Sequence, residues 1–150
     1  MTAEKRFTLH PDASLEALQK RAQGVHLPGH FGLEFTHLEP GKVCARLAVR
    51  PELMATNGFL HAATVIALAD TTCGFGTVSH LPEGAQSFTT VELKSNFLGT
   101  VREGAIRSEA RPAHTGRTTQ VWDAQVFDEA SGRCIALFRC TNMILWPKKD

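Results

Sequence analysis

The sequence has no tyrosine, no Cys-x-x-Cys pair, no cluster of basic residues and no long apolar run. Zinc sites and dithiol redox sites need closely spaced ligands or adjacent thiols, so neither is predicted and we expect no metal. Four cysteines are present, and surroundings such as VCARLAV and CIALFRC are apolar and strand-like. This pattern favours core-filling thiols in a reducing compartment.

The charge pattern and the missing motifs exclude several further classes of function. The formal net charge is +1 and the lysines and arginines are scattered, so we expect no nucleic-acid partner. No stretch approaches the roughly 18 apolar residues of a membrane span, and MTAEKRFTLHPDAS lacks the apolar region of a secretory signal. No glycine-rich phosphate loop or Gly-x-Ser-x-Gly elbow is present. We therefore expect a cytoplasmic protein without a membrane partner.

Local patterns predict a short helix, a hairpin, one long helix and four further strands. Residues 12–23 carry apolar side chains on one stripe and precede Gly24, which indicates a short helix. LEFTHLE and KVCARLAV flank Pro40-Gly41 and predict the hairpin. Residues 61–79 predict the long helix. The later strand-like runs are SFTTVELKSNFL, AIRSEARPAH, RTTQVWDAQVFD and RCIALFRCTNMILW.

The long helix is apolar on nearly every face, so it has to be surrounded, and antiparallel strands are the covering that the chain offers. This predicts an α+β hotdog fold, in which a curved antiparallel sheet wraps a long central helix behind a short N-terminal helix. We expect one domain over residues 1–150, with a lead-in over 1–29 and a core over about 30–146. Because sheet edges must be paired or covered, we also expect dimerisation.

Two polar residues mark the segment NGFLHAATVIALAD. His61 begins the predicted helix and Asp70 interrupts its apolar run. Burying an unpaired carboxylate is costly, so Asp70 indicates a catalytic group whose pKa is raised by partial desolvation. A hydrolysis rate that falls at acid pH would follow. The alternative for Asp70 is an exposed or helix-capping role.

This segment resembles the signature of hotdog thioesterases of the phenylacetate-degradation (PaaI-like) type, with an aspartate nine residues after the histidine. The segments SFTTVELKSNFLGTVREG and GRTTQVWDAQVFDEASGRCIA are similar to the family pattern as well, so the likeness covers about residues 30–146. It implies hydrolysis of acyl-CoA thioesters, with coenzyme A as part of the substrate and no separate cofactor. The family's His-Gly-Gly is replaced here by His61-Ala62-Ala63, and Asn57 lies four residues before the histidine, where some relatives have it six before.

Thioester hydrolysis needs hydrogen-bond donors for the developing oxyanion and a carboxylate that attacks the carbonyl or activates water. The candidate donors are the backbone N–H groups of Ala62 and Ala63 at the helix N-terminus, and the candidate carboxylate is Asp70. His61 either takes part in the chemistry or positions the loop. Asn57 either binds the carbonyl or a water, or only forms a turn.

The resemblance implies two further site residues. Thr90 matches the position of a serine or threonine that holds the catalytic water, and Arg117 matches a position that contacts the phosphates of coenzyme A. An arginine suits phosphate through its planar fork of donors. The alternatives are a β-branched strand residue for Thr90 and an exposed turn residue for Arg117.

The spacing within the helix predicts an active site shared between subunits. Asp70 lies seven positions after Ala63, which is roughly 10 Å at about 1.5 Å per residue, so one carbonyl does not reach both in one chain. A homodimer with two such helices side by side and antiparallel would form two shared sites, and the resemblance implies the same, with a tetramer of two dimers expected. Two alternatives stay open: an acyl-CoA binding or sensing module, and an acyl-thioester hydratase or dehydratase.

Overall fold

The computed structural model describes residues 7–148. The start of the predicted lead-in, and with it part of MTAEKRFTLHPDAS, lies outside the described residues. Within them the helices are α1 (Leu15–Ala22), α2 (Leu27–Phe31) and α3 (Ala62–Ser79), with a short 3-10 turn at Pro51–Leu53. The strands are β1 (Glu34–Glu39), β2 (Lys42–Ala48), β3 (Ser87–Phe97), β4 (Ala105–Thr115), β5 (Thr119–Asp128) and β6 (Cys134–Leu145).

All six strands form one antiparallel sheet in the order β1-β2-β4-β5-β6-β3. Helix α3 contacts β2, β3, β4, β5 and β6, so the sheet wraps around it. The predicted hotdog arrangement, with one long helix enclosed by a curved antiparallel sheet, is thereby confirmed. In the chain from residue 7 to residue 148, we find no helix that combines the length and the apolar character needed to span a bilayer.

The core lies between α3 and the inner face of the sheet. Leu68 and Cys73 of α3 and Trp122 of β5 are each 0% exposed. Buried hydroxyl groups on α3 donate hydrogen bonds to backbone carbonyl oxygens. The Thr72 hydroxyl, for example, donates to the Leu68 carbonyl oxygen at 2.6 Å. Because such groups are paired, the polar residues of α3 can be buried along with its apolar ones.

A buried histidine closes the C-terminal end of α3. The Nε2 atom of His80 accepts a hydrogen bond from the Gly41 N–H at 2.9 Å, and its Nδ1 lies 2.8 Å from the Gly76 carbonyl oxygen. A ring whose Nε2 accepts carries its proton on Nδ1, which then donates to Gly76. Desolvation lowers the pKa of His80, against the opposing effect of the Gly76 bond. The neutral ring therefore ties α3 to the β1–β2 turn.

Helix α2 was not predicted, because a Pro-Gly pair is typical of turns. Pro28 lies in the first turn of α2, where a missing N–H is tolerated. Gly32 ends the helix in the left-handed conformation, with φ 71° and ψ 36°. The consequence for the site is that α2 carries Pro28 to the side of α3.

The prediction of core-filling cysteines is right for two of the four. Cys73 and Cys140 are buried, whereas Cys44 and Cys134 are partly exposed, and all four thiols are free. Cys44 lies on β2, where buried and partly exposed residues alternate, and it occupies an outward position. The period of a strand places it there despite its apolar neighbours.

Replacing Gly76 by alanine is expected to lower the free energy of unfolding by about 1–3 kcal/mol through overpacking. An added Cβ would lie 2.7 Å from Cζ3 of Trp122, whose indole is buried and held by a 2.9 Å hydrogen bond to Gln120. Gly74→Ala is the matched control, because its Cβ would meet only the end of the Phe88 ring, at 3.0 Å. Urea denaturation measures both, and equal losses in the two variants would contradict this packing.

Candidate active site

Asp70 and Thr90 are the two predicted site residues that line a common cavity. Asp70 lies in the middle of α3, Thr90 lies on β3, and the cavity has a volume of about 240 Å³. The rest of its wall is mostly apolar, with one cation, and consists of Arg21, Pro28, Thr71, Gly74, Phe75, Val78 and Phe88. A small pocket with a few polar groups in an apolar wall is typical of a substrate site.

Two local features shape this cavity. The pairing of β3 with β6 shifts register between Thr90 and Glu92, which leaves Val91 as an extra residue. Such bulges bend a strand and redirect its side chains, and they are common beside active sites. On the helix, the absence of a side chain at Gly74 allows the Phe88 ring to approach, since a Cβ there would lie 3.0 Å from it.

The Asp70 carboxyl is partly buried, and desolvation raises its pKa above the ordinary value for aspartate. Among residues 7–148 it forms no ion pair that would offset this effect. The direction and the cause both agree with the prediction from sequence. A desolvated carboxylate that forms no ion pair is a stronger proton acceptor than one in water.

His61 is the N-cap of α3, and its Nδ1 accepts a hydrogen bond from the Ala63 N–H at 2.9 Å. The neutral ring then carries its proton on Nε2. The Ala63 N–H, a predicted oxyanion donor, is therefore engaged by His61. The Ala62 N–H has no acceptor among residues 7–148, and all three residues are exposed. The hydrogen-bond donors at this helix terminus without an acceptor in the described part of the chain are the Ala62 N–H and the His61 Nε2–H.

Asn57 and Arg117 lie apart from the Asp70 cavity. The Asn57 Oδ1 accepts from the Phe59 N–H at 3.3 Å, which is a local turn contact. The Arg117 guanidinium carbon lies 4.2 Å from the ring centroid of Trp146, whose Nε1 donates to the Arg117 carbonyl. Arg117 lines a separate cavity of about 750 Å³ near His80.

The start of α3 and the Asp70 carboxyl lie far apart in one chain. Helix α3 is continuous from Ala62 to Ser79, so Asp70 lies roughly 12 Å along the axis from Ala62 at about 1.5 Å per residue. The donors and the carboxylate do not meet within the subunit. This is the separation that the sequence spacing predicts.

The sequence did not predict that Arg21 and apolar residues such as Pro28 and Phe88 would line the cavity. The apolar stripe of α1 predicted that this helix packs, but not that Arg21 would face α3. One available signal was overlooked: Asp70, Gly74 and Val78 recur at intervals of four and share one helix face. In the described part of the chain, no group of three or more His, Cys, Asp or Glu side chains is placed to hold a metal ion.

The model of the family described as the thioesterase superfamily matches residues 57–135, a range that begins at Asn57 and includes Asp70, Thr90 and Arg117. The chain belongs to the thioesterase superfamily. It is 31% identical over 134 residues to a 1,4-dihydroxy-2-naphthoyl-CoA hydrolase from Escherichia coli, covering 88% of this chain and 95% of that one. It is 32% identical over 125 residues to the proofreading thioesterase EntH from Klebsiella pneumoniae, covering 82% and 88%.

A crystal structure of a thioesterase from Haemophilus influenzae is similar to this thioesterase with a TM-score of 0.84 and 25% identity. The alignment covers 91% of this chain and 94% of that one. The predicted resemblance to hotdog thioesterases and the predicted enzyme class, a thioester hydrolase, are both confirmed.

Asp70→Asn is expected to raise the Tm at pH 7 and to lose this advantage as the pH falls. Burial raises the pKa of Asp70 above its unfolded value of about 3.9, so the ionised carboxylate destabilises the folded state above the folded pKa. That destabilisation disappears progressively as the pH falls through the folded pKa towards the unfolded one. Thermal unfolding followed by circular dichroism from pH 7 to pH 4 measures the effect.

Asp123→Asn is the control for this experiment, because Asp123 is ion-paired with Arg139 at 2.5 Å and its removal offers no relief from desolvation. A difference in Tm between the wild type and Asp70→Asn that stays constant over the whole pH range would contradict the assignment.

Proposed function

We propose that this thioesterase hydrolyses acyl-CoA thioesters to the free acid and coenzyme A, with Asp70 as general base or nucleophile. The observation that carries the proposal is the desolvated Asp70 carboxylate, which lines one small cavity with Thr90. The Thr90 hydroxyl can hold a water beside the carboxylate, since a hydroxyl both donates and accepts. The Escherichia coli relative is named as the hydrolase of an acyl-CoA, which supports coenzyme A as the leaving group.

The N-terminus of α3 supplies the proposed oxyanion site. The Ala62 N–H is open, and the helix dipole favours negative charge at this end. The Ala63 N–H joins it when the His61 ring turns away, so His61 acts as a positioning residue that controls the second donor. Asn57 holds the entry to the helix through its turn. This chemistry needs no metal and no cofactor besides the coenzyme A of the substrate.

A homodimer completes the site in this proposal. Strand β3 is an edge of the sheet and pairs only with β6 among the described strands. It exposes apolar side chains, with Val91 54% and Phe97 46% exposed, and unpaired apolar edges invite pairing with a second chain. Two chains paired through β3 would bring Asp70 of one subunit to the α3 N-terminus of the other. Leu137 and Met143 on β6 are also exposed, which supports further association of two dimers.

Arg117 is the proposed contact for the coenzyme A phosphates. Its exposed guanidinium lies over Trp146 at the side of the 750 Å³ cavity, and it offers the planar donors that phosphate takes. The four free thiols support a cytoplasmic location, because a reducing compartment maintains them.

Thiol release from a panel of acyl-CoA thioesters tests the function. The wild type is expected to hydrolyse at least one of them, and Asp70→Asn is expected to lower kcat by a factor of roughly 100 to 10,000, as for the loss of a general base. The wild-type rate should fall as the pH drops through the raised pKa of Asp70, because the protonated carboxyl neither accepts a proton nor attacks.

Asp123→Asn, which changes a carboxylate outside the cavity, should keep the wild-type rate. Saturable acyl-CoA binding without thiol release would instead identify a binding module. Loss of enoyl-thioester absorbance without thiol release would identify a hydratase. An unchanged rate in Asp70→Asn would remove Asp70 from the mechanism.

A further inference from the structure

We propose that Arg21 of α1 limits the length of the acyl group, as a movable wall between the Asp70 cavity and a second cavity behind it. This inference rests on the proposed function, in which the thioester lies beside Asp70. It assigns a role in specificity to a residue of the N-terminal helix, outside the range matched by the family model.

Two cavities meet at Arg21. The Asp70 cavity has a volume of about 240 Å³, and the second, between α1 and the end of α3, has a volume of about 420 Å³. Arg21 and Val78 line both of them, and no other residue in the described range does so. The second cavity has Ala17 and Leu18 of α1 in its wall. Removing the barrier would therefore join two spaces that already exist.

The face of α3 that lines the first cavity runs from Asp70 towards Arg21, so an acyl group lying along it would point at Arg21. Asp70, Gly74 and Val78 follow one another at intervals of four residues and all line the first cavity. Val78 lies roughly 12 Å along the helix axis from Asp70 at about 1.5 Å per residue. A volume of about 240 Å³ is below the roughly 300–1,000 Å³ of pockets that enclose drug-sized ligands. Within one subunit, the first cavity thus has room for a short or compact acyl group.

Of the two shared residues, Arg21 is the one that can move. It is exposed, it forms no ion pair among residues 7–148, and its guanidinium carbon lies 5.9 Å from the Phe75 ring centroid. That distance is close to the limit of about 6 Å for a cation–π contact. Val78 is β-branched and on a helix, so its side chain is held in one rotamer.

The charge of Arg21 makes the wall selective. A short acyl group ends before the guanidinium and leaves it in water. A longer apolar chain has to displace Arg21 or desolvate it, and removing a charge from water is unfavourable. Once Arg21 is removed, each further methylene can enter the second cavity and gain about fourfold in affinity from burial.

The test uses non-hydrolysable S-alkyl-CoA thioethers, from ethyl to dodecyl, with dissociation constants measured by calorimetry on the 150-residue protein. In the wild type the affinity should stop rising after the short chains. In Arg21→Ala it should continue to rise, with dodecyl-CoA bound at least about tenfold more tightly than by the wild type and ethyl-CoA unchanged. Arg21→Met, which keeps most of the length without the charge, should fall between them.

Lys20→Ala is the matched control, because Lys20 is an exposed cation on the same helix that lines neither cavity. Val78→Ala widens the same junction from α3 and should also favour long chains, which keeps the test valid if Arg21→Ala folds poorly. An unchanged chain-length profile in Arg21→Ala would overturn the proposal. An equal weakening for every thioether would do so as well, because it would assign Arg21 to the coenzyme A phosphates.

Thiol release from the matching acyl-CoA thioesters separates this inference from the proposed function. If the wild type releases no thiol while Arg21→Ala shifts thioether binding to longer chains, the proposed function fails and the role of Arg21 stands. If the wild type releases thiol and the binding profile does not shift, only the role of Arg21 fails.

Discussion

The fixed rise of an α-helix is the constraint on which the rest of this structure depends. Helix α3 runs without a break from Ala62 to Ser79, so the donors at its start and the carboxylate of Asp70 stay roughly 12 Å apart. No side-chain rotation in one subunit removes that separation. In the proposed homodimer, chains paired through the exposed apolar edge of β3 would place two copies of α3 side by side and so remove that separation.

The two faces of helix α3 contribute differently to the stability of the fold. Its core face is closed by Leu68, Cys73 and the neighbouring Trp122, all without exposed surface. Its other face carries Asp70, whose raised pKa records the unfavourable removal of a carboxylate from water. A residue that destabilises its own fold is retained most readily where it serves a reaction. The apolar packing of the remaining helix offsets that unfavourable term.

Much of the fold could be predicted from sequence because its signals are local. The apolar run of α3, the Pro40-Gly41 turn and the strand-like runs each carry their own pattern, and the interruption by Asp70 stands out against them. The assignment of Thr90 to the same site as Asp70 came from a resemblance, since nothing local relates the two positions.

The missed features depend on contacts between distant residues or on geometry that propensity does not encode. Arg21 reaches the cavity because α1 packs against β1 and directs this side chain towards Phe75 of α3. The bulge at Val91 depends on the register between β3 and β6. The hydrogen bond from Ala63 to His61 depends on the exact entry angle of the chain into α3, and a pattern of residue types does not specify it.

Mixed dimers test the shared active site most directly. Asp70→Asn removes the carboxylate, and Ala62→Pro removes the open N–H at a position that tolerates proline, because His61 before it is extended, with φ −65° and ψ 136°. Each variant alone is expected to release little thiol from acyl-CoA. Co-expressed with different affinity tags and purified as mixed dimers, the two chains should recover one working site. Mixed dimers as inactive as either parent would contradict a site built from two subunits.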